Sequence, residues 1–147
     1  MINVREITIL THCHATEDCE KVLHAVRNIL PSNIRNNIVF NKQVLRGHYG
    51  NPITIIRATI TSNAEQVLKH IANLMDDTEK TILSVSFDLR YGRRENKLYL
   101  RISKQKAYSG KVVIHDSDDV IKLVIRFKGS RRPEKIKEFL REMGLIK

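Results

Sequence analysis

Two stretches of the chain alternate strictly on one side between apolar and mostly basic or polar residues, and that alternation admits few folds. Leu98, Leu100 and Ile102 are interleaved with Lys97, Tyr99, Arg101 and Ser103, and Ile121, Leu123, Ile125 and Phe127 with Lys122, Val124, Arg126 and Lys128. A period of two sends successive side chains to opposite faces of a strand. Each stretch therefore predicts a half-buried strand with an apolar inner face and a cationic outer one. If the two share a sheet, their outer faces form one cationic surface. Its self-repulsion is relieved by a bound polyanion or by an acidic element lying over it.

The other elements follow from caps and periodicity. Residues 3–12 read as a first strand, and Thr16 as the cap of a helix whose apolar positions Cys19, Val22, Leu23, Val26, Ile29 and Leu30 run to Pro31. Residues 38–46 and 53–60 read as an antiparallel hairpin around Gly47-His48-Tyr49-Gly50-Asn51-Pro52. Ser62 and Glu65 have the spacing of a capping box before a second helix, and Thr78 is placed to cap a third reaching Leu89. Residues 111–115 and 120–128 read as strands joined by the acidic turn Asp116-Ser117-Asp118-Asp119, and Ala107-Tyr108 either plugs the sheet edge or leaves Tyr108 to stack on a base. Pro133 opens a last helix with Ile136, Phe139, Leu140 and Met143 on one stripe. The expected fold is α+β, two-layered, with helices on one face of a mainly antiparallel sheet. Residues 1–128 are expected to form the domain. Residues 129–147 form a basic C-terminal extension whose amphipathic helix packs on the same domain or on a second copy, as a homodimer contact.

Charge says more about partners than about fold. The net charge is +10, yet residues 1–89 hold nine basic and nine acidic groups, while residues 90–147 hold seventeen and seven. Within 90–111, eight Lys and Arg face the single acid Glu95. Charge carried only for solubility gains nothing from being gathered at one end, so the asymmetry points to a polyanion. A basic strand that also carries tyrosine suits a phosphate backbone with stackable bases. Arg93, Arg94, Lys97, Arg101, Lys104, Lys106, Lys122 and Arg126 are the expected phosphate contacts, and Tyr99 and Tyr108 the expected stacking platforms. His48 and Tyr49 join them, because a turn built from Gly, Asn and Pro has no need of either side chain.

Catalytic chemistry finds little support in the residue spacing. There is no Walker phosphate loop, dinucleotide fingerprint or GxSxG elbow. His12, His14 and Glu17 are spaced unlike any zinc motif, and Asp116, Asp118 and Asp119 lack the closing Glu of a calcium loop. No metal, cofactor or catalytic residue is expected. Cys13 and Cys19 lie six apart outside any CxxC pattern and are expected to be free thiols in a reducing cytoplasm. No apolar run approaches the ~20 residues of a membrane span.

Four segments carry a family resemblance: His14-Ala15-Thr16-Glu17; the turn Gly47 to Pro52 with Ile53; Tyr99-Leu100-Arg101 leading to Lys104-Gln105, Ala107-Tyr108 and Gly110; and Asp118-Asp119-Val120-Ile121. Over residues 4–127 the chain resembles an archaeal family described as predicted RNA-binding proteins and exosome subunits. That family is similar in fold to the fifth protein of the large ribosomal subunit. The resemblance implies a cytoplasmic RNA-binding accessory factor in RNA processing or degradation, associated with the exosome and not itself an enzyme. The segment after residue 128 lies beyond it, and Arg93-Arg94 falls at positions where that family has no fixed pattern. The competing readings are an adaptor whose basic face meets an acidic protein without touching RNA, and a metal-dependent or histidine-based hydrolase.

Overall fold

The computed structural model describes residues 1–47 and 50–147, so His48 and Tyr49 lie outside the described residues. The elements in order are β1 (Asn3–His14), α1 (Cys19–Asn28), α2 (Ser32–Arg35), β2 (Asn41–Arg46), β3 (Pro52–Ile60), α3 (Ala64–Asn73), α4 (Asp77–Val85), α5 (Phe87–Arg90), β4 (Tyr91–Gly92), β5 (Lys97–Ile102), α6 (Lys104–Tyr108), β6 (Ile121–Lys128) and α7 (Pro133–Glu142). The strands form one sheet in the order β2-β3-β1-β6-β5-β4, and each neighbouring pair is antiparallel. This is a two-layer α+β fold. No helix among the described residues is long and apolar enough to cross a membrane.

Alternation decides which face is covered. Ile7 and Ile9 of β1, Ala58 and Ile60 of β3, Leu98 and Leu100 of β5 and Leu123 and Ile125 of β6 are buried. They share one core with Val26 of α1 and Ile29 at its C-terminal cap, Val67, Leu68 and Ile71 of α3, Leu83 of α4 and Phe87 of α5. Ile136 and Leu140 of α7, followed by Leu145 and Ile146, enter the same core. Burying each large side chain of this kind contributes about 1.5–3 kcal/mol. An isolated helix of ten residues would not hold in water without such docking.

Several local expectations are corrected. Helix α1 is capped by Asp18, whose carboxylate accepts from the Glu20 N–H, and not by Thr16. The Ser62/Glu65 capping box does not form. Asn63 precedes α3 in the left-handed region, and Glu65 instead accepts from the Val4 N–H at 3.3 Å, where a β-bulge between Val4 and Glu6 breaks the β1–β6 ladder. Asp76, not Thr78, caps α4. The strand expected to include Ser103 ends at Ile102, because the Ser103 hydroxyl caps α6 by accepting from the Lys106 N–H. Tyr108 thus ends a helix and plugs no sheet edge. Residues 111–115 form no strand beyond a single bridge from Ile114 to Ile102. Their amides turn to the helical layer: Val112 donates to the Leu74 carbonyl and Ile114 to the buried Glu79 carboxylate.

The cysteines are also corrected: Cys13 and Cys19 form a disulfide. Placing them on different elements suggested separation, but the turn after β1 returns the chain at once. The first residue of α1 then lies 5.6 Å, Cα to Cα, from Cys13, within bridging range. The bridge joins a small apolar cluster with Val22, Leu23 and Ile56. For so short a loop, chain entropy alone gives about 2 kcal/mol of stabilisation. Cys19→Ser should lower the urea unfolding free energy by that amount, and the native protein should show no reactive thiol until reduced. Two titratable thiols in the unreduced protein would contradict the bridge.

Candidate nucleic-acid interface

The sheet face opposite the helices is built by the residues that alternate with the core. Its rows follow from register: Arg57 of β3 stands opposite Leu10 of β1, Leu10 opposite Lys122 of β6, and Lys122 opposite Arg101 of β5. The next row runs Thr59, Thr8, Val124 and Tyr99, and a third runs Glu6, Arg126 and Lys97. Tyr99 is 44% exposed and lies between two cation pairs, Lys97 opposite Arg126 and Arg101 opposite Lys122. Directly opposed side chains on neighbouring strands have Cβ atoms about 4.5–5.5 Å apart, and like charges there are destabilising. Relief inside the fold is partial. Arg126 meets Glu6 at 3.6 Å and Arg101 meets Asp118 at 3.6 Å, while Lys97 and Lys122 have no ion-pair partner among the described residues. Asp118 is fully exposed, so its pairing with Arg101 contributes little.

The acidic turn between residues 116 and 119 is not free to cover this face, because it is latched along the sheet's end. The Arg90 guanidinium donates two hydrogen bonds to Asp116, at 2.8 and 2.9 Å, and Arg101 donates to the Ser117 carbonyl at 2.9 Å. Lys104, only 12% exposed, closes the latch. Its ammonium donates to Asp119 at 2.5 Å, to Glu17 at 3.1 and 3.3 Å, and to the His12 carbonyl at 2.6 Å. His14 reaches the same Asp119 carboxylate at 3.3 Å.

His14, Glu17 and Asp119 bring their ligand atoms within 4.8 Å of one another, the one such grouping of possible metal ligands among the described residues. The Lys104 ammonium already bridges the two carboxylates and offsets one of their two charges, so a dication there would have to displace it.

The expected site residues therefore separate. Lys97, Tyr99, Arg101, Lys122 and Arg126 come together on the open face. Arg93 and Arg94 are exposed in the β4–β5 turn. Lys104 is committed to the internal ion cluster. Lys106 and Tyr108 lie on α6, in the helical layer, which the Asn28 amide ties to α1 through the Ala107 and Tyr108 carbonyls. There Tyr108 packs edge-on against His24 at 5.1 Å, away from the cationic rows. His48 and Tyr49 lie outside the described residues. Sequence reasoning missed Arg57, although its alternation with Ile56, Ala58 and Ile60 carries the same signal as that in β5 and β6.

The latch tunes its own groups. The hydrogen bond from Lys104 holds Asp119 below the ordinary carboxylate range, and the hydrogen bond from Arg90 does the same to Asp116. Partial burial, reinforced by the positive charges of Lys122, His14 and Lys104, pushes His12 below its usual value. All three shifts are downward. For the carboxylates, the stabilisation is present above the unfolded-state value near 3.8 and is lost as pH falls through the depressed native value. For His12 the neutral ring is favoured, so stability declines as pH falls below about 6.5. Stability should fall in two acid steps, and Asp119→Asn should flatten the one below about pH 4. Urea unfolding at several pH values checks this; an unchanged acid slope in the variant would contradict the latch.

Comparison with known proteins gives the chain's family. A family model described as RNA binding matches residues 6–127. An uncharacterized protein of Methanocaldococcus jannaschii is 35% identical over 98% of this chain and 99% of the relative. A protein of Pyrococcus abyssi named as an RNA-binding protein is 32% identical over 86% of this chain and 84% of its own length. Crystal structures from Archaeoglobus fulgidus and Sulfolobus solfataricus superpose with TM-scores of 0.78 and 0.75, at 27% and 29% identity. The first covers 96% of this chain and 99% of its own, the second 93% and 98%. With the family model spanning most of the chain and archaeal relatives matching nearly all of it, this protein belongs to the RNA-binding family.

Proposed function

We propose that the protein binds RNA on the helix-free face of its sheet, as a non-catalytic accessory factor in cytoplasmic RNA processing or degradation. The observation that carries this reading is the pair of like-charged cross-strand contacts, Lys97 opposite Arg126 and Arg101 opposite Lys122, with the exposed ring of Tyr99 between them. Such pairs cost folding energy, and a phosphate backbone offsets that cost. An exposed tyrosine supplies a stacking surface for an unpaired base, which favours single-stranded segments over a duplex. Family membership and the name of the Pyrococcus abyssi relative support the same ligand class. Association with the exosome and likeness to the fifth large-subunit ribosomal protein belong to this reading as consequences of the family resemblance.

The experiment is a titration of single-stranded RNA at several salt concentrations. Each phosphate neutralised on a single strand contributes about 0.7 to the logarithmic salt slope, so charge reversal of Lys97, Arg101 and Lys122 together should reduce the slope by about 2. Tyr99→Ala should cost about 1–3 kcal/mol of binding, while Tyr99→Phe retains most of it. Lys104→Ala should lower the melting temperature and leave the slope unchanged. Undiminished RNA affinity in the triple variant would overturn the sheet-face reading.

A further inference from the structure

At the end of the sheet where β1 begins and β6 finishes, a pocket of about 180 Å³ opens between Arg5, Arg126, Lys128 and Arg131. One carboxylate, Glu95, also lines it, together with Asn96, Phe127, Gly129 and Ser130. Of the four cations, Arg126 is shared with Glu6 at 3.6 Å; Arg5, Lys128 and Arg131 have no ion-pair partner among the described residues. Four positive groups against one negative one leave a surplus that a folded protein does not gather into a concavity without cost.

Three local features hold the cations there. Arg5 is the extra residue of the β-bulge: Val4 pairs with Phe127 and Glu6 with Arg126, so Arg5 has no opposite number in the ladder. A bulge of this kind re-aims a side chain. Next, Asn96 is buried and left-handed, with φ 57°. Its amide donates to the carbonyls of Phe127 and Ser130, both at 3.0 Å, and its oxygen accepts from the Tyr91 hydroxyl at 2.6 Å. That fixes the turn carrying Lys128 and Arg131. Finally, Gly129 has φ 108°, and a Cβ added to it would collide with the Met1 carbonyl, so the turn requires glycine. Asparagine tolerates the left-handed region, and the three hydrogen bonds of the Asn96 side chain hold it there at the lining of this polar pocket.

We propose that this pocket binds a phosphate group of the RNA, fixing one end of the strand that runs over the sheet face. The inference rests on the RNA-binding reading, and the pocket continues the cationic row through Arg126. Phosphate chemistry fits because arginine guanidinium groups recognise phosphate by paired hydrogen bonds. The phosphate has two sources. A terminal monoester carries nearly two charges at neutral pH and ends the chain, which suits a pocket with surplus positive charge. An internal diester carries one.

The test compares single-stranded RNA with a 5′-phosphate and with a 5′-hydroxyl, on the wild type and on Arg5→Ala/Arg131→Ala, two exposed positions whose loss should leave the melting temperature unchanged. If the phosphate is terminal, the wild type prefers the 5′-phosphate strand by about tenfold and the variant loses that preference. If it is internal, the variant weakens both strands alike and lowers the salt slope by about 1.4. Either result supports the pocket. Equal binding of both strands by wild type and variant, with equal slopes, overturns it. Inorganic pyrophosphate, titrated against the protein alone, separates this proposal from the one it rests on. Amide shifts at Arg5, Gly129 and Arg131 in a protein that binds no RNA would leave the pocket standing and remove the sheet-face reading. Absence of those shifts refutes the pocket whatever the RNA result.

Discussion

The antiparallel ladder between β1 and β6 is the interaction on which the rest of the structure depends. It joins the first strand of the chain to the last and places both at the centre of the sheet. The hairpin of β2 and β3 is hung on one side of it, and β5 with β4 on the other. Since side chains alternate with a period of two, a slip of one residue by β6 along β1 would send Leu123 and Ile125 to solvent and bring Lys122 and Arg126 against the helices. The single irregularity in this pairing falls at Arg5, beside Val4, whose N–H donates to Glu65 of α3.

That register also fixes the electrostatics. Cations of β5 and β6 are aligned row by row, while the acids that could have neutralised them are held at the sheet's end by Arg90 and Lys104. Lys104 separates the two roles of positive charge in this protein: one lysine is consumed in holding the acidic turn, so that the others remain facing solvent. A basic residue's number in the sequence does not say which role it has. Its partners do, and for Lys104 they are Asp119 of the turn it holds, together with His12 and Glu17, 92 and 87 residues away.

The sheet was legible in the sequence wherever alternation is clean. For β5 and β6 the apolar positions named one face and the charged positions the other, and tertiary packing followed that pattern. It was less legible where short-range chemistry competes. Ser103 reads as one more strand residue until its hydroxyl is seen capping α6, and Val112 to Ile114 look like a strand until Glu79 and Leu74 take their amides. The disulfide escaped because spacing alone does not reveal that the turn between β1 and α1 doubles back. In the candidate site, Lys97, Tyr99, Arg101, Lys122 and Arg126 were visible from periodicity. Lys104 and Tyr108 were misplaced because their elements were, and the pocket around Arg5 and Arg131 depends on a bulge and two left-handed residues that no periodicity signals.

The central claim is that RNA lies on the strands and not on the helices. Amide chemical-shift mapping with a short single-stranded RNA tests it most directly. The account predicts perturbations concentrated at residues 97–101 and 122–126, extending to Arg57, with the amides of α3 and α4 unmoved. Perturbations confined to the helical layer, around Lys69, Lys80 or Lys106, would contradict it.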